Sequence, residues 1–262
     1  MRIAVLGAKG FVGRNLARHL ISNHHVTPVT RDILDMLNPN AVTMFLKEGN
    51  FDVIINCAAI MTNDESLNDA RNNLGIFMNF YNNRELFGKF INTASGAEFD
   101  RSTNIDCVIE SDIFNHMPKD SYGWGQNVKA RLSAKTDNFY NIRIFNCFGY
   151  GELETRLFSR FLKQGHIEIS NDRYFDYFSI NDLCKVVDYY IKQAWPISDV
   201  NAVYENKIKI SEALELFCKV CNLEPTFKVI STSFNNYTGS SFGLKTLGIE
   251  LDGLEKGFGD YI

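Results

Sequence analysis

Three glycines at even spacing, Gly7, Gly10 and Gly13, follow the apolar residues Ile3, Ala4, Val5 and Leu6. After them comes a helical pattern carried by Phe11, Val12, Leu16, Leu20 and Ile21. A strand, a glycine turn and a helix start in this order make a cradle for a dinucleotide pyrophosphate. The first glycine allows the tight turn, the second lets backbone approach the phosphates, and the third lets helix pack against strand. The helix start then supplies unpaired N–H groups and a positive dipole end. Charge near the next strand end bears on which dinucleotide fits. An acidic residue there takes a ribose 2′-hydroxyl, as in NAD, whereas a cation takes the 2′-phosphate of NADP. Arg31 follows the second strand and Lys9 lies in the glycine loop, which favours NADP. Asp32, one residue further, keeps NAD open.

These residues need a scaffold, and the apolar pattern describes one. Strands are predicted over 25–30, 52–56, 89–93 and 140–145, with helices over 39–48, 65–86 and 121–137. Continuous apolar strands alternating with helices mean a parallel sheet covered on both faces. The expected fold is α/β, a doubly wound parallel sheet of Rossmann type with a small C-terminal lobe that binds substrate. Residues 1–150 are expected to form the dinucleotide-binding domain and 151–262 the lobe, with some return to the sheet. Helices near 152–164, 181–194 and 211–222 belong to that second part. Ligands of such sheets sit beyond the carboxyl ends of the strands. The residues to watch are therefore those after each strand, among them Ala58, Ala59, Ile60, Ser95, Ala97 and Asn146.

Composition removes several function classes. The 262 residues are 45% hydrophobic and 22% charged, with a net charge of −4, ordinary values for a globular protein. No basic stripe interleaved with aromatics points to nucleic acid. No apolar run approaches the roughly 20 residues that cross a bilayer, and the first apolar stretch is too short for a signal peptide. Cysteines 57, 107, 147, 184, 218 and 221 are scattered, mostly within apolar segments. Buried thiols are therefore expected rather than zinc or disulfides, in a reduced, cytoplasmic protein. His116 and His166 have no evident partner, and no cluster has metal-ligand spacing.

Four further segments carry a resemblance: Asn56 to Ala59; Ile91 to Phe99 with Ser95; Ser121, Tyr122 and Gly123 opening a helix; and Arg143 to Gly149 with Asn146. With the glycine spacing, they make the chain resemble the extended short-chain dehydrogenase/reductases, the nucleotide-sugar epimerases, dehydratases and reductases. The resemblance runs nearly the whole chain. It implies that Tyr122 is the general acid or base on the sugar oxygen, with Ser95 hydrogen-bonding the same oxygen. It implies cofactor contacts at Gly7, Lys9, Gly10, Phe11, Val12, Gly13, Arg31, Asp35, Met36, Ala58, Ala59, Ile60 and Gln126. Asn73 matches the family's helix asparagine, mainly a structural residue. Asn146 and Ala97 fall on the substrate side. The family's diphosphate-binding arginine aligns with Phe175. Arg173, two residues earlier, either replaces it or is a solvated surface residue. The family's usual assembly implies a homodimer formed through helices 65–86 and 121–137.

One position departs from the pattern. The family's lysine, four residues after the tyrosine, binds the nicotinamide ribose and lowers the tyrosine pKa; here that position is Gln126. An unperturbed tyrosine, with pKa near 10, is ionised in only about one molecule in a thousand at neutral pH. A reaction that begins from tyrosinate suffers most. A ketone reduction suffers less, because its tyrosine starts protonated and donates. Lys129 shares nearly the same helical face but lies about 10 Å further along the axis. Gly96 and Ala97 stand where the family's 4,6-dehydratases carry an acidic pair, which disfavours dehydration. The expected reaction is NAD(P)-dependent reduction of the 4-keto group of a nucleotide-activated deoxysugar. A 4-epimerase and a catalytically silent dinucleotide-binding sensor or scaffold are the alternatives.

Overall fold

Ile3, Ala4, Val5 and Leu6 are fully buried, as a strand covered on both faces must be. They lie in β1 (Arg2–Leu6), which turns into α1 (Phe11–Leu20) and then β2 (His25–Val29). α2 (Pro39–Gly49) starts where the Asn38 side chain accepts the N–H groups of Asn40 and Ala41, and Pro39 fixes its first turn. β3 (Val53–Asn56) and α3 (Leu67–Tyr81) follow, then β4 (Lys89–Ser95) and β5 (Ile105–Val108). α4 (Ser121–Ser133) leads to β6 (Phe139–Ile144) and the short β7 (Cys147–Phe148). This computed structural model describes residues 1–60, 66–232 and 235–262.

Beyond it come α5 (Leu157–Gln164), β8 (Ile167–Ile169), β9 (Phe178–Ser179), α6 (Ile180–Lys192) and β10 (Asp199–Ala202). The chain closes with α7 (Ile210–Val220), β11 (Phe227–Val229), β12 (Tyr237–Gly239), α8 (Phe242–Thr246) and α9 (Gly253–Gly259).

Three helices are shorter than their apolar patterns predict. α5 begins at Leu157 rather than near residue 152, because the chain before it makes turns in which the Glu152 and Arg156 N–H groups bond the carbonyls of Gly149 and Leu153. α3 stops at Tyr81, where the Asn82 N–H tightens onto Met78 and Phe80 carbonyls and Asn83 leaves helical geometry. Residue 65, the first of the expected helix, lies outside the described residues. α4 stops at Ser133, and the N–H groups of Lys135 and Thr136 bond three residues back instead of four.

Six parallel strands pair in the order β10-β6-β4-β3-β1-β2. The chain steps from β1 to β2 on one side and then to β3 on the other, so a crevice opens at the carboxyl ends of these strands. α1 and α6 cover one face, with Leu16, Leu20, Leu183, Val187 and Tyr190 in one core. α2 and α3 cover the other, with Val42, Leu46, Phe77 and Phe80 packed beside Phe90 and Phe139. α6 and β10 thus return to the sheet from the far half of the chain. The remaining C-terminal elements form a separate aromatic core of Phe148, Phe158, Phe161, Phe217 and Phe258. A fourth cluster, Phe99, Ile105, Ile113, Phe145 and Tyr237, lies under the loops beyond β4 and β6. All six cysteines are free thiols. Cys147, Cys184 and Cys218 are buried, but Cys107 is exposed. Among the described residues no helix is long and apolar enough to cross a membrane, and no group of acidic, histidine and cysteine side chains has the makings of a metal site.

Candidate active site

The glycine loop is shaped by contacts that only glycine permits. Gly7 adopts φ of +73°, and a Cβ there would lie 2.8 Å from the Ala58 backbone and the Cys57 carbonyl. A Cβ on Gly13 would lie 2.5 Å from the Gly7 carbonyl oxygen, so α1 packs directly on the turn. Gly10 caps α1 without a side chain, and no acidic residue occupies the first turn. The N-terminal N–H groups of α1 therefore face the loop with no side chain competing for them.

A cleft of about 880 Å³ opens beside this loop. Gly7, Lys9, Gly10, Arg31, Asp35, Met36, Ala58, Ala59 and Ile60 line it, so most of the expected cofactor residues converge. Thr30, Leu34, Asn72 and Ile76 are also on the wall, and sequence reasoning missed them. Leu34, Asn72 and Ile76 come from segments whose apolar pattern speaks for core packing alone. Five expected residues are not on that wall. Phe11 and Val12 are half-buried against the sheet core, and Gly13 supports the turn from beneath. Asn73 instead grips Ile60, accepting its N–H and donating to its carbonyl, both at 2.7 Å. It sets the backbone of the loop after β3. Gln126 is buried on α4.

Electrostatics at the second strand end differ from a simple count of charges. Lys9 pairs with Asp32, and this contact holds the Asp32 carboxyl below its ordinary pKa. The acidic side chain next to Arg31 in the chain is thus paired with the loop lysine, while Asp35 lines the same cleft.

The loop after β4 is fixed from below. Ser95 ends the strand, and its Oγ accepts the Ala97 N–H at 3.1 Å. Its own N–H donates to Glu98 at 3.5 Å. Glu98 is fully buried and forms a salt bridge with the equally buried Arg143 of β6, which also reaches Asp199 (2.9 Å) and Asn201 (3.0 Å) of β10. Three neighbouring strands are thereby tied together beneath the turn that carries Ser95. Burial nevertheless pushes the Glu98 pKa up, against the pull of Arg143.

Tyr122 stands in the first turn of α4. Asp120 caps that helix, its Oδ1 accepting the Gly123 N–H at 2.7 Å. A Cβ on Gly123 would lie 2.6 Å from the Ala97 carbonyl oxygen, so α4 rests on the turn after Ser95. Ala97 is consequently buried under the helix and lines neither this cleft nor the one described below. A second phenol joins the pair: Tyr237 of β12 is buried, hydrogen-bonds the Ser95 side chain and feels the charges of Tyr122 and Arg101. Burial, the largest of these influences, holds it protonated. Nothing in the local sequence marks Tyr237, because β12 meets β5 from the far end of the chain.

Lys129 sits further along α4. It is buried, and desolvation lowers its pKa to about 8, partly offset by Glu98. Its electrostatic partner is therefore the carboxylate beneath the turn.

Beyond β6 lies a second cleft of about 430 Å³, lined by Asn146, Arg156, Arg160, Arg173, Phe175 and Tyr177 among others. Asn146 accepts a hydrogen bond from Arg156 at 3.0 Å. Arg173 donates to the Asn235 carbonyl at 3.2 Å and lies over the Phe175 ring, 5.5 Å from its centroid. Arg160 holds a buried Nε with no hydrogen-bond partner among the described residues. The i,i+4 spacing of Arg156 and Arg160 was the available signal for this cleft, and the reading of the chain passed over it. β4 lies between β3 and β6 in the sheet. Ser95 therefore stands between a cleft at the ends of β1 and β3 and an arginine-lined cleft beyond β6.

The same architecture occurs in known proteins. A GDP-mannoheptose C4 reductase from Campylobacter jejuni, solved with NADP bound, superposes with a TM-score of 0.81 at 17% identity, covering 99% of this chain and 96% of that one. A dTDP-4-dehydrorhamnose reductase from Clostridium acetobutylicum gives 0.82 at 17% identity, covering 100% and 98%. In sequence, a probable dTDP-4,6-dihydroxy-2-methyloxan-3-one 4-ketoreductase of Streptomyces antibioticus is 37% identical over 70 residues, 26% of this chain and 24% of that protein. The match thus spans about a quarter of that relative. The profile of the NAD dependent epimerase/dehydratase family matches residues 3–202, most of the chain and every strand of the central sheet. The chain belongs to the NAD dependent epimerase/dehydratase family.

Proposed function

We propose that the protein reduces the 4-keto group of a nucleotide-activated deoxysugar with NADPH. What supports this reading is the position of Ser95 at the end of β4, between the two clefts, with the helix that opens on Tyr122 packed against the turn after it. The glycine loop fits a pyrophosphate, since the space beside Gly7 is closed to any side chain and the α1 N-terminus opens onto it. Arg31 is the cation for a 2′-phosphate, because Asp32 is already occupied by Lys9. The Campylobacter reductase was likewise solved with NADP. The cofactor, when bound, supplies a hydride to the carbonyl carbon. Tyr122 then donates its phenolic proton to the oxygen that becomes hydroxyl. Ser95 takes the Ala97 N–H on one lone pair, and with the protonated Tyr237 hydroxyl donating to the other its own hydrogen is left for the same substrate oxygen. Arg156, Arg160 and Arg173 supply the positive charge for the anionic diphosphate of the nucleotide, in a cleft that Glu168 also lines. A cytoplasmic homodimer belongs to the same reading. α3 and α4 pack on each other and expose Leu67 and Trp124.

The test is NADPH oxidation with a panel of NDP-4-keto-6-deoxysugars. Turnover is expected, and Tyr122→Phe should lower it by about 10²–10⁴-fold while NADPH still binds. Tight NADPH binding without turnover on any sugar would favour a sensor and end the reductase reading.

A further inference from the structure

The cation missing at position 126 has a counterpart on the ring face of the tyrosine. Arg101 follows the buried Ser95–Glu98 turn, and its guanidinium carbon lies 5.8 Å from the centroid of the Tyr122 ring. Asp120 holds it there, with Nη2 to Oδ1 at 2.7 Å and Nε to Oδ2 at 3.4 Å. The same Asp120 oxygen caps α4 through Gly123. One carboxylate therefore fixes both the helix turn that carries Tyr122 and the guanidinium beside it. The field of Arg101 also reaches the buried Tyr237 hydroxyl, where it favours the ionised form.

We propose that Arg101 is a positioning residue that does from the ring face of Tyr122 what the family's lysine does from the next helical turn. It favours the phenolate that remains once Tyr122 has given its proton to the substrate oxygen. This proposal rests on the reductase reading above. A cation near a phenol lowers its pKa, a guanidinium stays charged throughout the working pH range, and the Asp120 carboxylate that holds Arg101 offsets part of that charge without taking it off the ring face. Among the described residues, the charged and titratable groups on the elements around Tyr122 include Arg101, Asp100, Glu98, Lys119, Asp120, Lys129, Arg131 and Tyr237, with Glu110 and Asp112 of the turn packed on α4 and Asp69 and Arg71 of α3. Lys129 is drawn to Glu98 beneath the turn, and burial holds Tyr237 protonated. Arg101 is the cation that the structure places over the ring.

The decisive measurement is the ultraviolet titration of Tyr122, taken as the tyrosinate signal that Tyr122→Phe removes, on the full chain without cofactor. Arg101→Met should raise the Tyr122 pKa by about one unit, and Arg101→Lys should hold it near the wild-type value. Turnover of Arg101→Met should fall by roughly tenfold or more. The double variant Arg101→Met with Gln126→Lys should recover both the titration and the rate. An unchanged Tyr122 titration in Arg101→Met, or a lost rate that Gln126→Lys leaves unrepaired, overturns the proposal. Circular dichroism of Arg101→Lys and Arg101→Met separates lost charge from lost folding. If the wild type reduces no keto sugar, the reductase reading fails alone, because the titration still decides what Arg101 does.

Discussion

The two sides of the site are built in opposite ways. On the dinucleotide side one short stretch does most of the work: Gly7, Gly10 and Gly13 are contiguous with the strand and helix they join, and their contacts are backbone against backbone. On the proposed catalytic side, Ser95, Arg101, Tyr122 and Tyr237 come from four separate segments. They meet because buried ion pairs and a helix cap hold those segments. The first side depends on the absence of side chains, the second on charged ones: a fully buried Glu98–Arg143 pair beneath the turn and a partly exposed Arg101–Asp120 pair beside the helix start. The two should therefore break differently.

The largest expected effect lies on the catalytic side. Glu98→Gln removes the negative partner of Arg143 and leaves a guanidinium buried against Asp199 alone. Breaking a buried pair from one side costs about 3–5 kcal/mol, so thermal melting should move down by on the order of 10 °C. Because the Ser95 turn rests on that pair, turnover should fall before the fold is lost. Melting unchanged within a degree would show that the network does not hold the turn.

Lys129 allows a pH test of the same region. Its folded pKa, about 8, lies below the ordinary lysine value of 10.5. Between those two values the unfolded chain binds more protons than the folded one, so stability rises with pH across that window. The shift corresponds to at most about 3 kcal/mol. In Lys129→Met that rise between pH 8 and 10 should disappear. Melting curves of both proteins at pH 7.5, 9 and 10 check it. An identical rise in wild type and variant would assign the effect to other groups.

A smaller effect is expected on the dinucleotide side. Gly13→Ala places a methyl 2.5 Å from the Gly7 carbonyl, and α1 must move away from the turn. Overpacking of this kind costs about 1–3 kcal/mol. NADPH affinity should drop by about tenfold or more, with the far cleft and its arginines unaffected. Calorimetric titration with NADPH measures the first, and binding of the free nucleoside diphosphate measures the second. Loss of both together would mean that the two sides are coupled more tightly than their construction implies.

The contrast also explains what the chain makes legible. The central strands and the glycine loop could be read directly, because a run such as Ile3 to Leu6 is buried whole and the three glycines fall at even spacing between the strand and the helix they join. Ser95 is legible as the end of a strand and Tyr122 through the family resemblance, and they stand at the end of β4 and in the first turn of α4. Tyr237 could not, since β12 is three residues long and reaches the site only through pairing with β5. Arg101 sits in irregular backbone where no period distinguishes a solvated arginine from one held over a ring. Ala97 was read as facing substrate. The backbone approach of Gly123 instead seals it under α4, a contact that helical periodicity does not reveal.

The most delicate prediction concerns the choice of cofactor. Lys9 and Arg31 both flank the cleft, yet only one of them has its charge met by a neighbouring carboxylate, since Asp32 lies on Lys9. A 2′-phosphate entering the cleft should therefore be recognised mainly by Arg31, and Lys9 should act chiefly by cancelling Asp32. Arg31→Ala should weaken NADPH binding by about tenfold, roughly the value of one charge-assisted contact, and leave NADH binding unchanged. Lys9→Ala should act through the uncovered Asp32, which repels the phosphate and offers an acceptor to a ribose hydroxyl. The NADPH-to-NADH preference should then shift toward NADH by a smaller factor. Dissociation constants for both dinucleotides with both variants decide the matter. Equal losses of NADPH binding with no gain for NADH would show that the two cations act alike and that Asp32 plays no part.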